Sequence, residues 1–165
     1  MYGVRTLAVT AMALLIGVAL HVGDAVAQTA PHVGTWKLLS SDTVRPDGTK
    51  VPTFGGDATG ILVFGSDGRF FYIFSRAELP KFASNNRNTG TAEENTAVVK
   101  GSIATSGTYS VADKTFTIKI EHSTFPNWKG AEQTRTIVVT GDDMKWSNPA
   151  GSGGGVVELI LKRVK

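Results

Sequence analysis

Apolar and polar residues alternate through most of this chain, and a period of two is the period of β-strands. In 34–41 it sets Trp36 and Leu38 on one face and Lys37 on the other. In 156–163 it sets Leu159, Leu161 and Arg163 against Glu158 and Lys162. The segment 115–122 alternates most cleanly: Phe116, Ile118, Ile120 and His122 share the apolar face, and Thr115, Thr117, Lys119 and Glu121 the wet one. Segments 61–64 and 69–74 flank Gly65-Ser66-Asp67-Gly68 and read as a hairpin. Its second arm is apolar on both faces, with Phe70, Tyr72 and Phe74 on one and Phe71 and Ile73 on the other. Such a strand calls for a cover on its outer side, and 79–100 is the expected cover.

Three further strands are expected at 102–111, 132–140 and 144–148. The period breaks at 79–89, which is irregular and rich in Asn and basic residues. Thr91 followed by Glu94 forms a capping box, so a helix is expected over 92–100, ended by Gly101. Arg45-Pro46-Asp47-Gly48 reads as a turn, and 53–59 as a Gly-containing loop whose one aromatic, Phe54, is placed to cover an open end. This pattern predicts an all-β fold: an eight-stranded antiparallel up-and-down barrel with one short helix, closed by pairing of 34–41 with 156–163. A β-sandwich is the alternative. Closure would lay Arg163 on the face of Trp36.

Several of these segments carry a resemblance. Gly34-Thr35-Trp36 is similar to the Gly-x-Trp signature that opens the first strand of lipocalins, and Arg163 matches the basic residue that packs on that Trp. Around this signature lie Arg45-Pro46-Asp47-Gly48, Leu79-Pro80-Lys81-Phe82-Ala83-Ser84-Asn85-Asn86-Arg87, Glu93-Glu94-Asn95, Gly107-Thr108-Tyr109-Ser110 and Ser123-Thr124-Phe125-Pro126-Asn127-Trp128. With them the chain resembles the lipocalin-like domain family of the calycin superfamily. The resemblance implies a lipocalin-like barrel far more than it implies an activity. The chain departs from the family pattern at Thr105-Ser106, where larger side chains are usual.

The first residues are not expected in the folded domain. Arg5, the apolar run 7–20 and Ala25-Val26-Ala27 form a secretory signal peptide over 1–27. Residues 28–33 then make a flexible leader, and the barrel domain covers 34–165. An exported protein in the periplasm or medium follows, with no membrane anchor after cleavage. The chain has no Cys, so disulfides do not support it. Net charge is +3 and basic residues are interspersed with acidic ones, which argues against a nucleic-acid partner.

Candidate chemistry is sparse. Of three histidines, only His122 falls in the barrel by this reading, facing inward at the end of its strand. It is a candidate ligand donor or acid/base group, or a half-buried His bonded to nearby backbone. No metal site and no cofactor are expected. The best candidate ligand site combines two loops. Arg76, Lys81, Asn85, Asn86 and Arg87 supply donors, and Phe82, Phe125 and Trp128 supply flat apolar surface, with His122 beside them. The partner implied is a small hydrophobic or amphipathic molecule, with an anionic group left open. Two alternatives stand beside binding: a cyclase or isomerase using His122 or Glu132, and a filled structural barrel in which the long loop only bonds to itself.

Overall fold

The computed structural model describes residues 30–165, and the expected signal peptide lies outside the described residues. The chain forms β1 (Gly34–Val44), β2 (Lys50–Pro52), β3 (Ala58–Phe64), β4 (Arg69–Arg76), α1 (Ala92–Gly101), β5 (Ser102–Ala112), β6 (Thr115–Ser123), β7 (Glu132–Thr140), β8 (Asp143–Asn148) and β9 (Val156–Arg163). Short 3-10 turns sit at Arg87–Thr89 and Pro126–Trp128. Every strand pairs antiparallel with its neighbour, and β1 pairs with β9 to close an eight-stranded up-and-down barrel. The three-residue β2, not anticipated from the pattern, adds to the C-terminal end of β1, on the edge opposite β9.

Closure is built on the expected residues. Trp36 lies opposite Arg163 in the register and is fully buried. The Arg163 guanidinium carbon sits 4.1 Å from the Trp36 ring centroid, a cation–π contact. Trp36 Nε1 donates to the His32 carbonyl at 2.8 Å, and Arg163 donates to the carbonyls of Val33, at 2.9 Å, and Pro31. Gly34 is required here. It has φ +130°, and a Cβ on it would stand 2.8 Å from Arg163 Nη1. His32, expected in the leader and given no role there, seats its ring edge-on against Phe64, Tyr109 and Phe116. Burial lowers its pKa.

Two bulges reset the alternation. At Leu39, which already faces water at 51% exposure, the β1–β9 register slips, so Ser41 rather than Ser40 turns inward, buried. At Glu121 the β5–β6 register slips, and Gly107 accommodates it: a Cβ there would lie 2.0 Å from the Lys119 carbonyl. The second bulge overturns the expected placement of His122. It is exposed on the outer surface, and Ser123 takes the inward position, its hydroxyl 3.3 Å from that of buried Thr105.

The expected cover over β4 is also absent from its place. Phe71 and Ile73 are 41% and 45% exposed. α1 runs straight into β5 with no linker, and Ser102 pairs with Ser75 at the end of β4. The helix is thereby tied to the rim of the barrel and cannot lie along its wall. The capping box forms as expected, with Glu94 N donating to Thr91 Oγ1 at 3.2 Å and Thr91 N to Glu94 Oε2 at 2.8 Å.

Candidate functional site: the open end of the barrel

One end of the barrel is filled by Trp36, Leu38, Phe64, Phe116, Ile118 and Ile120, all buried. The other end is hollow. Its outer part is a mouth of about 910 Å³, bounded by the β1–β2 turn, the last turn of α1, Thr124-Phe125 and the loop 152–155. An inner cavity of about 40 Å³ continues below it, lined by Ser41, Tyr72, Trp128, Arg135, Trp146 and Asn148 among others. Thr53, Phe54, Ile103 and Ser152 border both. Phe54, from the loop expected to cover the opening, is buried at this boundary. Arg76 holds it there, donating from Nε to the Phe54 carbonyl at 2.9 Å.

Arg135 is the unusual residue of the site. Its side chain points into the barrel from β7 and the residue is only 2% exposed. Nη1 donates to the Thr134 carbonyl at 2.8 Å and Nη2 to Gln133 Oε1, while Nε–H has no acceptor. Its guanidinium carbon lies 6.0 Å from the Trp128 ring centroid. No ion pair to Arg135 exists among the described residues. Burial lowers its pKa to about 10, with Tyr72 acting the other way, so it stays cationic at neutral pH. Burial also pushes the Tyr72 phenol up, so that group stays neutral. The Ser41 hydroxyl is buried without a partner, and Asn148 Oδ1 accepts from Ala150 N at 2.9 Å, leaving its NH₂ to donate.

The structure divides the candidate residues. Arg76 and Phe125 line the mouth and Trp128 the inner cavity, with Phe125 and Trp128 edge-on at 5.5 Å. Lys81, Phe82, Asn85, Asn86 and Arg87 line neither space. Their loop bonds to itself and to α1: Asn86 Oδ1 accepts from Asn88 N at 3.0 Å, Ala83 N donates to Glu94 Oε1 at 2.8 Å, and Phe82 packs on Gly90. His122 and Glu132 are both exposed on the outer face, so neither can serve as an acid/base group inside the barrel. Arg135 and Ser41 were missed. Arg135 shares the parity of Ile137 and Val139, a signal present in the alternation of β7; Ser41 is turned inward only by the Leu39 bulge.

A closed eight-stranded antiparallel up-and-down barrel, packed at one end and open at the other onto a cavity with a buried cation, is a lipocalin-like barrel. The chain belongs to the lipocalin-like domain family, whose model matches residues 33–163. Among solved structures it is similar to a lipocalin-like protein from Bacteroides uniformis, at 16% identity and a TM-score of 0.46, covering 82% of this chain and 100% of that one. An uncharacterized protein from Bacteroides eggerthii matches at 14% identity and a TM-score of 0.42, covering 81% of this chain and 99% of that one. No curated protein matches the chain.

Proposed function

We propose that this is an exported binding protein that takes a small, largely apolar molecule through the open end of its barrel. The observation that carries the reading is the 910 Å³ mouth adjoining the inner cavity, the two sharing Phe54 and Ile103 in their walls, with Phe125 in the mouth and Trp128 in the cavity. Its size falls in the range of small-molecule sites, roughly 300–1,000 Å³, and its walls are mainly apolar with a few placed polar groups. Export rests on the apolar run and the Ala25-Val26-Ala27 site in the sequence. Intact mass of the protein released by cells should correspond to a chain beginning at Gln28; a product retaining the first 27 residues would contradict export.

Binding is tested with a neutral apolar dye, Nile red, titrated against the mature protein. The dye should brighten on binding and quench tryptophan emission. Trp128→Ala should weaken it severalfold, whereas Phe71→Ser, on the exposed outer face of β4, should leave it unchanged. Binding lost through Phe71→Ser and indifferent to Trp128→Ala would place the dye on the outer wall and refute the reading.

A further inference from the structure

The inner cavity holds a charge that no acidic side chain among the described residues pairs with. We propose that the Arg135 guanidinium anchors the carboxylate of an amphipathic monocarboxylate, whose apolar body lies outward past Phe54 into the mouth. The inference rests on the open end being a binding site and adds the chemical class of its occupant.

A buried cation without a counter-charge is costly to keep. Both hydrogen bonds that Arg135 makes go to its own strand, to Thr134 and Gln133, so its hydrogen bonds join no other element to β7. Of five N–H groups, three remain for a ligand, and one of them, Nε–H, is buried with no acceptor. The Ser41 hydroxyl, also lining the cavity, is the second buried group without a partner. Among the described residues no acidic side chain borders the cavity or the mouth, and the mouth carries Arg45, Arg76 and Lys100. That one-signed rim draws anions inward.

The site is built for a single negative charge. Among the described residues Arg135 is the only charged one lining the inner cavity, whereas a phosphate dianion would need a second cation. The 40 Å³ of cavity has room for about three water molecules, enough for a planar carboxylate head but not for the body behind it. A planar guanidinium matches that head in shape as well as charge. Waters in the cavity would be displaced by the carboxylate oxygens, which replace their hydrogen bonds.

The test compares acids with alcohols of matching shape, octanoate with octanol and phenylbutyrate with phenylbutanol, by calorimetry on the mature protein. Each acid should bind at least about tenfold more tightly than its alcohol. Arg135→Met should erase that difference while Nile red and the alcohols still bind; Arg135→Gln serves the same purpose should the Met variant fail to fold. In the unsubstituted protein, carboxyl-labelled carbon-13 octanoate should stay ionised at pH values where the free acid protonates. Acids binding no better than alcohols, an acid preference that survives loss of Arg135, or a bound carboxyl with an ordinary titration would each overturn the proposal while leaving the binding site intact. If neither acids, alcohols nor Nile red bind, the open end is not a binding site and both readings fall.

Discussion

Removing the Trp36 ring or the Arg163 guanidinium should each weaken the barrel, and the two losses should not add. Trp36 is fully buried, and truncating it to Ala is expected to cost about 3–5 kcal/mol. Arg163→Met keeps the stem but loses the cation over the ring at 4.1 Å and the bonds to the Val33 and Pro31 carbonyls. The cation–π contact is worth about 0.5–2 kcal/mol and each bond from a charged donor about 1.5–3 kcal/mol at most. The side chain is 25% exposed, so water recovers part of this, and a loss of roughly 2–3 kcal/mol is expected. The double variant should be less damaged than the sum of the singles by about 1 kcal/mol, the share of the guanidinium that depends on the ring. Urea unfolding followed by circular dichroism gives the four stabilities, provided the slope is shared. Additivity within about 0.3 kcal/mol would show that the ring and the cation do not interact, and would refute this account of closure.

Two other outcomes follow from buried ionisable groups. His32 has its pKa lowered by burial, so the folded protein holds the neutral ring more strongly than the unfolded chain does. The sign follows: its contribution is complete above the unfolded value near 6.5 and is lost as pH falls through the folded value below it. Thermal midpoints measured from about pH 7 down to pH 5 should decline, and His32→Phe, which keeps an aromatic ring among Phe64, Tyr109 and Phe116, should flatten the decline; an unchanged slope would contradict this. Arg135→Met should leave the protein as stable as before or more so, because it removes an uncompensated buried charge; a loss above about 2 kcal/mol would mean that Arg135 supports the fold.

The barrel was legible because 34–38, 115–120 and 156–163 alternate between faces and because Gly34, Trp36 and Arg163 mark the two strands that close it. The capping box of α1 was legible for the same local reason. What failed was read across irregularities. A bulge adds one residue and reverses every side chain beyond it, so His122 left the interior and Ser41 entered it with no change in the residues themselves. The loop 79–89 carries donors suited to a ligand, but they are as well suited to its own backbone, and packing chose the second. Arg135 was visible in the period of β7, yet a basic residue between Thr134 and Thr136 reads as a solvated face unless Ile137 is taken as the inward reference.

The central claim is that ligand enters the hollow end, and the indole N–H signals of the three tryptophans report on it separately. Trp128 and Trp146 line the inner cavity, while Trp36 is sealed under Arg163 away from it. On titration with octanoate, followed by nitrogen–proton correlation spectra, the Trp128 and Trp146 indoles should shift along one saturating curve and Trp36 should stay in place. Shifts confined to backbone signals of Ile61, Phe71 and Ile73 on the outer wall, with all three indoles unmoved, would contradict the account.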